Sequence, residues 1–119
     1  GTGFEEEVGS VNIFNAPIQS GTSGESFIQI FENKVLDPID KFKPEIILIS
    51  AGFDAHARDP LANIDLDSND FYKITKRIVD LANIHSKGRI ISFLEGGYDL
   101  TALSESIKEH LTALNNLWR

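Results

Sequence analysis

Hydrophobic positions along the chain follow two rhythms in turn. A short apolar stretch, "VNIFNAPI", ends near Pro17 and predicts a strand near residues 11–15. From Ser26 to Phe42 the apolar residues Phe27, Phe31, Val35 and Ile39 recur every four positions, one stripe of a helix near 25–42. Pro38 interrupts that stripe, so a kink or a fresh first turn is expected at Asp37-Pro38. "PEIILIS" is an Ile-rich run without alternation. It predicts a strand near 45–50 that is buried on both faces, as in a parallel sheet. After the long loop "AGFDAHARDPLANIDLD", Phe71, Ile74, Ile78, Leu81 and His85 space as a helix near 68–87. Asp67 or Ser68 caps its start, and Lys87-Gly88 closes it. "RIISFLE" predicts the last strand, near 89–94, and Gly96-Gly97 turn the chain. A helix near 100–116 follows from Asp99 or Thr101, with Leu103, Ile107, Leu111 and Leu114 on one face.

Strands alternating with helices of this length make an α/β fold with a parallel sheet. In such sheets ligands gather at the carboxyl ends of the strands. Two polar loops stand there, "SAGFDAHARDP" and "EGGYDL". If their strands are neighbours, Asp54 and Tyr98 face one crevice.

Composition narrows the chemistry. Eighteen acids against 11 bases give a formal charge of -7, which repels a phosphate backbone and argues against direct nucleic-acid binding. The absence of cysteine removes disulfides and thiolate metal sites, and fits a reducing cytoplasm. No apolar run approaches the length of a membrane span, and no signal peptide stands at the start. "GTGFEEEVGS" reads as a chain that begins within a loop.

Each candidate residue has two readings. Asp54 can bind a cation such as Zn²⁺ or can simply form a turn by accepting backbone N–H bonds, and spacing alone favours the turn. His56 makes an Asp-x-His with Asp54, whose side chains would point the same way in an extended segment. A zinc site nevertheless wants three or four ligands, and no partner stands nearby in sequence. His85 lies on an apolar stripe, as a packed or semi-exposed histidine. His110 lies between Lys108, Glu109 and the helix end, on what reads as a polar face. "EGGYDL" could cradle a phosphate, but it lacks the length and lysine of a P-loop. Tyr98 can donate its hydroxyl to an oxyanion, or be a tyrosine with a packed ring and a wet hydroxyl.

Taken together, "PEIILISAGFDAHARDPLA" followed by "RIISFLEGGYDL" resembles the histone deacetylase superfamily, which includes acetylpolyamine amidohydrolases and acetoin-utilisation proteins. The opening "GTGFEEEVG" and "NIFNAPIQSGTSGESF" also resemble that family, so the resemblance covers nearly the whole chain. It implies an arginase/deacetylase-like three-layer fold around a parallel sheet. It implies that Asp54 is a zinc ligand, that Tyr98 is the catalytic tyrosine, and that Gly96 and Gly97 line the substrate channel. His56 matches no ligand of the family. The family's Asp-x-His and His-His pairs belong to earlier elements, which this sequence does not contain. Residues 1–119 therefore read as the carboxyl-terminal segment of a single deacetylase-like domain. That reading implies a Zn²⁺ cofactor in the intact protein and an acetylated amine of lysine or polyamine type as substrate. It also implies that the segment alone is inactive, and that it needs the amino-terminal part or self-associates. "VNIFN" would lie at the far edge of the sheet, two strands away from the other pair. The alternative from another class is a non-catalytic α/β interaction or ligand-binding module.

Overall fold

The computed structural model describes residue 4 and residues 12–115 of the chain. The first helical stretch opens as α1 (Gly24–Phe31), where the Ser23 hydroxyl oxygen accepts the N–H of Ser26. It continues through a π-helical turn, Glu32–Leu36, into α2 (Asp37–Phe42). The widened turn stands directly before Pro38, a residue that has no N–H and whose ring crowds the carbonyl one turn back. The expected disturbance at Pro38 is thus a π turn, and the helix runs on without a break. Lys43, in the left-handed conformation at φ 55°, ends it.

β1 (Ile47–Ala51) and β2 (Ile90–Leu94) pair in parallel, from Ile47 opposite Ile90 to Ala51 opposite Leu94. Between them runs α3 (Ser68–His85), and after them α4 (Leu100–Leu114). Asp67 is the cap of α3 and exchanges hydrogen bonds with Asp70, a capping box in which both carboxylates serve backbone N–H groups. At the other end Lys87 and Gly88 take positive φ, and the Gly88 N–H returns to the Ala82 carbonyl at 3.0 Å. Among the described residues no helix is long and apolar enough to cross a membrane.

α3 and α4 pack on each other and on one face of the sheet. The core gathers Ala51, Phe53, Leu66 and Phe71, with Phe27, Ile49, Ile74, Leu103 and Ile107 around them. Burial along β1 and β2 alternates, and this corrects the expectation of a strand covered on both sides. Leu48, Ile91 and Phe93 lie on the side away from α3 and α4 and are 63%, 47% and 53% exposed. Beside Leu48, a groove of about 270 Å³ runs between Phe14, Ile39, Phe42 and Ile46.

Two further expectations are corrected. Residues 12–15 form no strand, and residue 11 lies outside the described residues. A strand needs a hydrogen-bonding neighbour, and the sheet among the described residues consists of β1 and β2 alone. The fully buried side of α4 is Ala102, Ser106, His110 and Ala113; of the expected stripe, Leu103 and Ile107 pack at the edge of the core and Leu111 is exposed. The small residues Ala102, Ser106 and Ala113 allow close approach to the Thr75, Val79 and Ala82 side of α3. His110, expected on a polar face, is therefore buried.

Candidate active site

The two strands end together, and the loops that leave them are laced. The Phe53 N–H donates to the Gly96 carbonyl at 2.8 Å, and the Glu95 N–H to the Ala51 carbonyl at 2.9 Å. Phe53 turns inward. It is buried, with its ring 5.1 Å from that of Phe71 and 5.5 Å from that of His110. Asp54, the next residue, carries its carboxylate across to the second loop. A Cβ placed on Gly96 would stand 3.4 Å from the Asp54 carboxylate and 3.5 Å from the Tyr98 hydroxyl. The two groups therefore meet over Gly96, within twice that reach of each other. A side chain at Gly96 would crowd both.

The glycines around this point have separate reasons. Gly52 sits beneath the same carboxylate, where a Cβ would lie 3.3 Å from Asp54 Oδ1. Gly97 has φ +140°, a conformation that side chains rarely adopt, and a Cβ there would be 2.6 Å from Leu103 Cδ1.

His56 is not beside Asp54's partners. It is buried, and its Nδ1 accepts the Arg58 N–H at 3.1 Å, so the proton sits on Nε2, 3.2 Å from the Ser68 hydroxyl. Ser68 also reaches Glu105, which pairs with Arg58. The set looks like a nucleophile and its base, but the ring nitrogen facing Ser68 already carries the proton and cannot take another. His56 instead braces the loop, which pairs with residue 66 through Ala57 N–H to Leu66 carbonyl at 2.8 Å. His85 is half-buried, as expected, and meets Asp40 at 2.7 Å.

Sequence reasoning gave little weight to Asp59. It is buried, and its two oxygens accept the N–H groups of Leu61 (2.9 Å) and Tyr98 (2.7 Å). Burial by itself would raise its pKa. The N–H groups of Leu61, Tyr98 and Asp99 outweigh that and hold the carboxyl below its ordinary 3.8. Gly52 and Asp59 matter through space, and the nearest local signal is the Asp-Pro pair at 59–60, which marks a turn.

Among the described residues no group of three His, Cys, Asp or Glu side chains could hold a metal ion. Asp54 is a suitable oxygen donor, but one donor is not a site.

A histone deacetylase domain model matches residues 1–114. The chain belongs to the histone deacetylase family. It is 38% identical over 118 residues to histone deacetylase 14, chloroplastic, of Arabidopsis thaliana, covering 96% of this chain and 28% of that protein. It is 34% identical over 104 residues to a probable deacetylase of Archaeoglobus fulgidus, covering 84% of this chain and 29% of that one. The solved HD domain of HDA15 superposes with a TM-score of 0.86 at 34% identity, over 96% of this chain and 32% of that chain. This deacetylase-family chain thus shares the α/β fold of those domains and spans less than a third of each of these relatives.

Proposed function

We propose that residues 1–119 are the carboxyl-terminal segment of a zinc-dependent deacetylase domain that cleaves N-acetyl amides of lysine or polyamine type. The observation that carries this reading is the meeting of the Asp54 carboxylate and the Tyr98 hydroxyl over Gly96. A carboxylate for a metal and a phenol for an oxyanion are what amide hydrolysis needs at one point in space. Bound zinc would polarise the amide carbonyl and lower the pKa of a bound water. Asp54 would be one of its ligands. Tyr98, with 58% of its surface exposed, is open to substrate and donates its hydroxyl as charge develops on the carbonyl oxygen. Gly96 and Gly97 keep the wall between them free of side chains, as a channel for an extended acyl-amine requires.

On this reading the other metal ligands and the proton-transferring histidines come from the rest of the domain. That remainder packs on the uncovered Leu48, Ile91 and Phe93 face, and the segment alone is inactive and either needs that remainder or self-associates. A cytoplasmic location belongs to the same proposal and is supported by the cysteine-free composition. The apolar groove at Phe14, Phe42 and Ile46 favours a second reading, a non-catalytic module that holds an apolar ligand or partner.

Metal analysis and kinetics on the full-length protein separate the two. Asp54→Asn should lose bound zinc. Tyr98→Phe should keep zinc and lose turnover by about 10² to 10³. Stoichiometric zinc in the first variant, or unchanged turnover in the second, would overturn the assignment. A protein with neither zinc nor deacetylase activity would favour the module.

A further inference from the structure

We propose that Asp59 is the positioning residue of Tyr98: its buried carboxylate ties the backbone of the tyrosine to the Asp54 loop and so sets where the hydroxyl stands over Gly96. This rests on the reading that Tyr98 acts on substrate.

Tyr98 needs an anchor. More than half of its surface is exposed, so packing against the described residues does not fix its ring. Two glycines precede it, and Gly97 occupies a region that leaves the backbone little intrinsic preference. A hydroxyl that works on a transition state must be held closely, since a misplacement of about 1 Å can cost about 10²-fold. The anchor is the 2.7 Å bond from the Tyr98 N–H to Asp59 Oδ2.

Asp59 also forms a local turn, because Oδ1 accepts the N–H of Leu61 beyond Pro60. A turn needs one oxygen only. The second oxygen reaches 39 residues along the chain to the other loop. The Asp99 N–H approaches the same carboxylate, and Asp99 in turn caps α4 through the Ala102 N–H at 2.8 Å. One group thus joins the Asp54 loop, Tyr98 and the start of α4. Only a carboxylate suits the place: it accepts at both oxygens, whereas an amide would set an NH₂ against one of the N–H groups. The lowered pKa of Asp59 agrees with this role, since it keeps both oxygens as acceptors.

Two measurements test the proposal. In the full-length protein, with an acetyl-lysine peptide as substrate, Asp59→Asn should keep zinc, leave KM nearly unchanged and lower kcat by about 10- to 100-fold. In a Tyr98→Phe background the same change should cost almost nothing more, because the residue acts through the hydroxyl. Losses that multiply in the double variant would overturn the proposal. Independently of activity, amide hydrogen exchange in the unsubstituted protein should show Tyr98 N–H protected despite its exposed ring, and Asp59→Asn should release it. A rapidly exchanging Tyr98 amide refutes the anchor even if the variant does not fold. Absent deacetylase activity with a protected Tyr98 amide would count against the proposed reaction and leave the tether standing.

Discussion

His110 offers a sharp test of how the core is wired. Its ring is buried between α3, β2 and Phe53. Thr75 has one hydroxyl proton and donates it to the Phe71 carbonyl at 2.7 Å, so its oxygen accepts from His110 Nδ1 at 2.7 Å. Nε2 is then bare and accepts the Ser92 hydroxyl at 2.9 Å. The neutral ring satisfies both nitrogens, and the groups facing it, Thr75, Ser92 and Phe53, carry no charge to stabilise a cation. Burial accordingly pushes its pKa below 6.5. The folded protein therefore holds this proton less tightly than the unfolded chain. Its contribution to stability is complete above 6.5, falls as the pH drops through that value, and stops falling only below the depressed folded pKa. One proton gives a slope of at most about 1.4 kcal/mol per pH unit. His110→Phe keeps a ring but removes both nitrogens, leaving the Ser92 hydroxyl without its acceptor. At neutral pH it should cost about 1–3 kcal/mol, and it should flatten the decline in stability below 6.5. Urea unfolding followed by circular dichroism, on both sides of that pH, reads both effects. A variant with the parent's pH slope, or a parent that gains stability on acidification through this range, would refute the wiring.

Ser106 lies in the close contact between α3 and α4, and its hydroxyl is buried with no hydrogen-bond partner among the described residues. Ser106→Ala should raise the unfolding free energy by about 1 kcal/mol, since it removes an orphaned polar group and improves helix propensity; a loss in the same urea assay would show that the hydroxyl has a partner. Gly97→Ala adds a Cβ at φ +140° and against Leu103, and should cost about 1–3 kcal/mol in thermal unfolding. An unchanged melting temperature would mean that the turn has another shape.

Local signals carried the elements they govern. α3 begins at Asp67 and ends before Lys87-Gly88 because capping and positive φ are properties of a few adjacent residues. For α4 the same signals placed the cap at Asp99 but did not choose the fully buried face. Counting leucines selects the Leu103–Leu114 stripe, but close helix packing selects small residues, and His110 enters the core because Thr75 and Ser92 wait for it there. The strand near 11–15 was illegible for a different reason: pairing depends on a neighbour that the local sequence does not specify. At the site, Asp54 and Tyr98 follow from the rule that chemistry gathers at the carboxyl edge, and from the family resemblance. That Gly52 and Asp59 stand beside Asp54 and Tyr98 is a fact about two loops meeting in space, which no periodicity encodes.

On the proposed reading, the uncovered sheet face and the single metal donor, Asp54, belong to one problem. Parallel sheets are found with both faces covered, yet Leu48, Ile91 and Phe93 stand open. Leu94 at the end of β2 and Tyr98 just beyond it are 60% and 58% exposed, so the open surface continues to the edge where Asp54 waits. A body that covered the sheet would reach the two loops as well. It could bring the further ligands that Asp54 lacks and bury the apolar side chains in the same act. On the proposed reading, metal binding and the cover of the sheet are therefore coupled, and removing zinc from the full-length enzyme should loosen the contact at Phe93 and Leu94. Faster hydrogen exchange in β2 on metal removal is the expected sign. Exchange that ignores the metal would separate the two and assign the open face to some other partner.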